Sequence, residues 1–294
     1  MNEEFRIVAL VGKYQSADVA ESITRMACFL QEHGLEVWLE EGTAQTVGRQ
    51  CTERVASFDV IGEHADLVIV IGGDGSMLTA ARALAGHNLP VVGINQGRLG
   101  FLTDVSREDM FTRISDILEG RFLRERRSLL EAEVWRHGAR VFTTTALNDI
   151  VLSRGEIGRM IEFELHVDTE YIYSQRSDGI IVSTPTGSTA YALSANGPIL
   201  HPRLAGIVLV PLCPHGLTYR PLALAQDSVV ELVILGDRRC MLHSDGQTLF
   251  ETLPGDRVRV RRSTHGVTLL HPENYSYFAV LREKLHWSAP PHLS

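Results

Sequence analysis

Residues 72–76 read Gly-Gly-Asp-Gly-Ser, set between an apolar run, Leu67–Ile71, and a stretch of helical spacing. Glycines let the backbone take positive φ and approach a ligand closely. A helix start just beyond them offers free N–H groups and the positive end of a dipole to phosphate. A carboxylate between the glycines repels phosphate, so Asp74 needs another task. It can bind a metal, or accept a proton from an attacking hydroxyl. The same five residues can equally form a plain strand-to-helix turn, and spacing leaves both readings open.

Two familiar phosphate-binding patterns are absent. A G-x-G-x-x-G fingerprint starting at Gly73 needs glycine at position 78, which is Leu78, and the only Gly-Lys pair, Gly12-Lys13, is followed by Tyr14. None of the twelve histidines forms H-E-x-x-H or H-x-H, so none is assigned to a metal. Ser183, Ser188 and Ser194 lie in no G-x-S-x-G elbow, which disfavours a hydrolase triad. Asn148-Asp149 reads as a turn or as a polar contact. The segment 184–194, rich in small and hydroxyl residues, reads as a loop and helix cap, and Ser177-Asp178-Gly179 and Ser244-Asp245-Gly246 read as turns leading into strands.

The elements that must position these residues change character along the chain. Ile7–Val11, Leu35–Leu39, Leu67–Ile71 and Pro90–Ile94 are short apolar runs, as expected of parallel strands covered on both faces. Helical stretches are expected at Ala17–His33, closed by Gly34, at Ser76–Ala85 with Ser76 as N-cap, and at Arg107–Leu118. This β-α-β order predicts a doubly wound, Rossmann-like α/β domain over residues 1–126. Beyond Arg127 period-2 alternation takes over. Ile161, Phe163, Leu165 and Val167 alternate with polar residues, Val258 and Val260 sit between arginines, and His137-Gly138-Ala139 marks a hairpin. Residues 127–275 are therefore expected to form an antiparallel β-sandwich, with 276–294 packing back on the first domain.

Composition bounds the function. The 294 residues are 44% hydrophobic with a formal net charge of −8 and no long basic run, which argues against nucleic-acid binding. The acidic start lacks an apolar signal segment, and the longest apolar runs are too short to span a bilayer. Cys28, Cys51, Cys213 and Cys240 are scattered and read as reduced thiols. A cytoplasmic enzyme is expected.

The loop GGDGS resembles the signature shared by NAD kinases, diacylglycerol and sphingosine kinases and 6-phosphofructokinases. Three further segments select among them. NQGRLGFL (95–102), LNDIVLSR (147–154) and SDGIIVSTPTGSTAYALSANGPI (177–199) resemble NAD kinase motifs, nearest to those of Gram-negative bacteria. The one departure, Ser76 where threonine is common, keeps the hydroxyl.

The resemblance implies transfer of the γ-phosphoryl of ATP to the 2′-hydroxyl of the adenosine ribose of NAD. It implies Asp74 as the base, with Gly72, Gly73, Gly75 and Ser76 against the phosphates. Asn148 and Asp149 would grip adenine and ribose, since an amide both donates and accepts and a carboxylate accepts from hydroxyls. Thr189, Ala190 and Tyr191 would contact the adenosine, with Ala192, Leu193 and Ser194 continuing the wall. Asp178 would bond the nicotinamide end, Arg176 would bear on the choice of NAD over NADH, and Arg159 and Gln247 would also reach the substrate. Mg²⁺ would arrive with the triphosphate rather than in a protein cage, and a homodimer or homotetramer is implied. Two other readings are a lipid kinase, disfavoured by the polar 184–194 segment, and a dinucleotide sensor, disfavoured by Asp74.

Overall fold

The structure is a computed structural model. It describes residues 5–12, 17–47, 53–97, 99–155, 160–216 and 218–287. The chain divides into two compact units, one of residues 1–126 together with 267–294, the other of residues 127–266.

The first unit opens with β1 (Ile7–Gly12), α1 (Ala17–Glu32), β2 (Glu36–Glu40), α2 (Glu41–Val47), β3 (Arg54–Ala56) and α3 (Phe58–His64). There follow β4 (Leu67–Gly72), α4 (Asp74–Leu84), β5 (Pro90–Asn95) and α5 (Met110–Leu118). The strands are parallel in the order β3-β2-β1-β4-β5. On one face Val8, Leu10, Ile69, Ile71 and Val92 pack with Val19, Ile23 and Met26 of α1 and Ile114 and Ile117 of α5. On the other, Ala9, Val68, Val70 and Val91 are buried and α4 lies against β4 and β1. Every residue of β4 is buried, which is why its sequence shows no polar alternation.

Two expected helix starts move. α4 begins at Asp74 with Gly73 as an extended N-cap, so Asp74 sits in the first turn and Ser76 is not the cap. α5 begins at Met110; Arg107 and Glu108 lie in a turn where the Asp109 amide donates to Ser106 Oγ at 3.1 Å. The short elements α2, β3 and α3 carry no periodicity long enough to be read from sequence.

The second unit continues from β6 (Phe122–Arg136) through β7 (Ala139–Ala146), β8 (Asp149–Arg154), β9 (Ile161–Val167), β10 (Glu170–Ser177) and β11 (Gly179–Ser183). Then come α6 (Tyr191–Ser194), β12 (Gly206–Leu212), β13 (Leu222–Ala225), β14 (Val230–Ile234), β15 (Cys240–Ser244), β16 (Thr248–Thr252) and β17 (Arg257–Pro272). One sheet is antiparallel in the order β13-β12-β11-β8-β15-β16; the other runs β10-β9-β14-β17, with β6 beside β17 and β7 beside β6. Their inner faces share one core, including Leu152, Ile180 and Leu209 from the first sheet and Phe163, Leu165 and Val258 from the second. The second sheet is solvated on its far side, so β9 alternates in burial. The first is covered there too, by Ala192 and Leu200 against Val151, Ile181, Val208 and Val210, so all of β12 is buried. At the β6–β7 hairpin His137 and Gly138 both take positive φ, as a two-residue turn requires.

β17 runs past the edge of the second unit. Its first half pairs with β14, while Thr268 and Leu269 pair in parallel with Pro90 and Val91 of β5. The sequence reading carries the β-rich part to residue 275; the compact unit stops at 266 because that parallel pairing ties the strand's end to the α/β sheet. The helix α7 (Tyr277–Lys284) follows within the first unit.

Candidate active site

The residues singled out from sequence fall into two groups, one in each unit. In the first, the parallel sheet reverses its winding between β1 and β4, because β2 and β3 extend one way and β5 the other. Ligands of open α/β sheets bind outside the carboxyl ends of the strands at such a reversal. A cavity of about 520 Å³ lies there, lined by Val11 and Gly12 of β1, Glu40 of β2, Gly42, Phe58, and Gly73, Gly75, Ser76 and Thr79. Gly72 is buried at the end of β4 and is not among the lining residues, so the exposed Gly73 and Gly75 form the wall.

The Asp74 carboxylate is held by the segment after β5. Its Oδ2 accepts from the Phe101 amide at 2.9 Å, and its Oδ1 from the Leu102 amide at 3.0 Å and the Thr103 hydroxyl at 3.4 Å. That segment is fixed in turn by Asn95, whose side-chain amide donates to the carbonyls of Thr103 and Val105. The NQGRLGFL segment therefore acts as a cradle for Asp74. Each carboxylate oxygen has two lone pairs. Among the described residues, Oδ1 has both engaged, whereas Oδ2 keeps one.

In the second unit a cavity of about 410 Å³ is lined by Asn148, Asp149, Val151, Ser153, Ala190, Tyr191, His243, Asp245 and Gly246. Asp149 opens β8 and is buried. Neither its carboxyl nor the Asn148 side-chain amide has a hydrogen-bond partner among the described residues. Asp245, at φ +52°, instead gathers three amides: Leu147 at 2.9 Å, Asn148 at 2.8 Å and Asp149 at 3.1 Å. Burial, reinforced by the neighbouring Asp245 charge, pushes the Asp149 carboxyl up to about 7. Burial also lowers His243, whose Nε2 lies 3.1 Å from Ser153 Oγ, favouring the neutral imidazole. The pair Asn148 and Asp149 thus presents to the cavity an amide and a carboxyl that have no partner among the described residues.

Of the 189–194 run, Ala190 and Tyr191 line the cavity, and Tyr191 is half exposed. Ala192 is fully buried beneath it in the apolar cluster on β8, β11 and β12, so it supports the wall without forming it. Thr189, Leu193 and Ser194 are not among the lining residues; Thr189 Oγ1 donates to the Thr186 carbonyl. Gly187 has to be glycine, because a Cβ there would lie 2.1 Å from the Asn148 carbonyl oxygen.

The remaining residues lie apart from this cavity's lining. Arg176 is exposed on β10. Asp178 pairs with Arg154 at 3.0 Å. Gln247 is exposed in the turn between β15 and β16. Arg159 lies outside the described residues. Sequence reasoning passed over Ser153, His243 and Asp245 as site residues. The signal for Asp245 was the second Ser-Asp-Gly, read as a turn.

The motifs at both cavities agree with comparisons against known proteins. Residues 8–122 match the ATP-NAD kinase N-terminal domain, and residues 147–271 match the ATP-NAD kinase C-terminal domain. The chain belongs to the ATP-NAD kinase family. It is 58% identical over 291 residues to an NAD kinase of Aromatoleum aromaticum, covering 99% of this chain and 97% of that one. It is 45% identical over 287 residues to an NAD kinase of Thiobacillus denitrificans, covering 98% and 99%.

Two solved structures share the fold. Yeast NADH kinase complexed with NADH superposes with a TM-score of 0.91 at 24% identity, over 100% of this chain and 91% of that one. An NAD kinase from Archaeoglobus fulgidus in complex with ATP gives 0.75 at 25% identity, over 95% and 98%. The expected architecture, a doubly wound α/β domain and a β-sandwich, is the one observed.

Proposed function

We propose that this chain transfers the γ-phosphoryl of ATP to the 2′-hydroxyl of the adenosine ribose of NAD, giving NADP and ADP. The observation that carries the reading is Asp74 in the first turn of α4, held by the 101–103 segment with one lone pair on Oδ2 free. The 2′-oxygen forms a bond to the γ-phosphorus as the bond to the β,γ-bridging oxygen breaks. The hydroxyl proton passes to Asp74 Oδ2, and ADP leaves. Such transfer depends on positioning and charge neutralisation more than on a strong base.

Gly73, Gly75 and Ser76 lie against the triphosphate, with Gly72 setting the turn behind them. Asn148 reads the adenine edge and Asp149 accepts from ribose hydroxyls, a reading supported by their lack of protein partners. Tyr191 stacks on the adenosine, Thr189 and Ala190 contact it, and Leu193 and Ser194 continue the wall that Ala192 supports from beneath. Asp178 bonds the nicotinamide end, Arg176 bears on the choice of NAD over NADH, Arg159 reaches the substrate, and Gln247 adds a contact from its turn.

A divalent metal such as Mg²⁺, arriving with ATP, would supply charge neutralisation of the triphosphate. Mg²⁺ favours one or two carboxylates plus substrate phosphates and water. An ion carried by ATP would find the Glu40 carboxylate in the lining of the loop cavity, its oxygens also accepting from Gly42 and Thr43. We place the enzyme in the cytoplasm; no helix among the described residues is long and apolar enough to cross a membrane. A homodimer or homotetramer through the β-rich unit follows from the family resemblance. Light scattering of the purified protein checks that assembly.

The purified chain should form NADP from NAD, ATP and Mg²⁺, and Asp74→Asn should fold and lose most turnover. Absence of NADP from folded wild-type protein refutes the function. Unchanged turnover in Asp74→Asn refutes the role of Asp74 alone.

A further inference from the structure

The first unit contains a buried charged cluster that the phosphoryl-transfer chemistry does not use. His271, near the end of β17, is almost fully buried. Its Nδ1 lies 2.9 Å from Asp104 Oδ2, and its Nε2 lies 3.4 Å from Glu125 Oε2. Its ring stacks on Tyr275, with centroids 4.0 Å apart and planes 12° from parallel. Asp104 is itself 6% exposed and Glu125 15%. One ring N–H, at Nδ1, is enough to donate to Asp104 Oδ2. A bond from a ring N–H to a carboxylate is charge-assisted, so it is strong and directional.

The cluster matters because of what Asp104 adjoins. Residues 101, 102 and 103, which supply the three donors to Asp74, lead directly into Asp104. Asn95 holds the same segment by the carbonyls on either side of Asp104, those of Thr103 and Val105. The backbone of 101–105 is thus pinned by Asn95, while the Asp104 side chain is pinned by His271. Lys284 of α7 lies 5.9 Å from the centre of the Phe101 ring, so the segment following β17 touches the cradle a second time. A movement of the 101–104 backbone would redirect the Phe101 and Leu102 amides and with them the free lone pair of Asp74.

We infer that His271 is a positioning residue for phosphoryl transfer, acting through Asp104 on the 101–103 cradle that aims the Asp74 carboxylate. This rests on the reading of Asp74 as proton acceptor. A displacement of about 1 Å at a reacting group can cost on the order of a hundredfold in rate. The effect belongs in kcat, because the adenosine-gripping residues of the second unit are untouched.

The test uses the full-length enzyme with His271→Gln and with Asp104→Asn, the latter isosteric and removing one buried charge. NAD affinity is measured by calorimetry, which also counts the binding-competent fraction, and kcat is taken per binding site. Both variants should lose about tenfold or more in kcat, with NAD Kd within about twofold of wild type. The double variant, which retains an amide pair and leaves no unpaired Asp104 charge, should recover part of the loss seen in His271→Gln. A kcat per binding site within twofold of wild type in either folded variant overturns the inference, as does activity lost only in step with the binding-competent fraction. Asp74→Asn run in parallel separates the two readings. If that variant keeps wild-type turnover, the base assignment has failed; if it loses turnover while Asp104→Asn does not, only the role of His271 has failed.

Discussion

A side-chain carbon placed on Gly100 would lie 2.1 Å from Asp74 Oδ1 and 2.3 Å from Thr103 Oγ1. The carboxylate therefore occupies the space that any other residue at position 100 would fill. The glycine of the 95–102 segment and the aspartate of the 72–76 segment are two halves of one device. One leaves the room, the other uses it, and the amides of Phe101 and Leu102 set the orientation.

Gly100→Ala should displace Asp74 without unfolding the unit. The overlap is with a side chain and a hydroxyl, which can move, so the stability cost should be about 1–3 kcal/mol. Turnover should fall by about a hundredfold. Steady-state rates and thermal melts on one preparation check both; wild-type kcat would show that Asp74 need not sit where it does.

Asp149→Asn should stabilise the protein in alkali. The folded carboxyl titrates near 7, above its ordinary value of 3.8. Between those values the unfolded chain releases the proton and the folded one keeps it, so wild-type stability falls as pH rises and the full penalty is present above 7. Asparagine removes that penalty, which is about 2–4 kcal/mol for a shift of this size. Urea unfolding at pH 4 and pH 8 should show a gain at pH 8 only. The same variant should bind NAD more weakly.

Asp245→Asn should shift the titration of Asp149 part of the way back toward the carboxylate range, since the like charge goes but burial, the larger cause, stays. It should also destabilise the unit by about 1.5–3 kcal/mol, because an amide oxygen cannot hold three backbone N–H groups as a carboxylate does. Carbon-detected NMR of the Asp149 carboxyl reads the first effect; an unmoved titration would mean that the two carboxylates do not interact.

Tyr191→Ala should weaken NAD binding about tenfold, the loss of one base–aromatic stack. Tyr191 is 48% exposed. Little packing is lost, so the melting temperature should stay within about 2 °C. Unchanged affinity would place the adenosine elsewhere.

Much of this architecture was legible in the residues alone. The all-apolar run Leu67–Ile71 announced a strand covered on both faces, and the alternation through Ile161–Val167 a strand covered on one. Both follow from burial, which local periodicity records directly. The four motif segments led to the family because each holds glycines and polar residues at spacings that packing alone does not demand.

Tertiary structure decided what depends on partners distant in the chain. α4 starts at Asp74 rather than Ser76, in a place where that carboxylate meets donors 27 and 28 residues away. Asp149 is raised by burial and then by Asp245, which accepts from its amide across 96 residues. His271 meets Asp104 across 167. The composition of each segment determined which groups could be buried and which could carry charge. Only the register of the strands and the closure of the loops determined which charges share a buried space, and it is that sharing, through low polarity and short distance, that makes a carboxyl a base, a titrating group or an anchor.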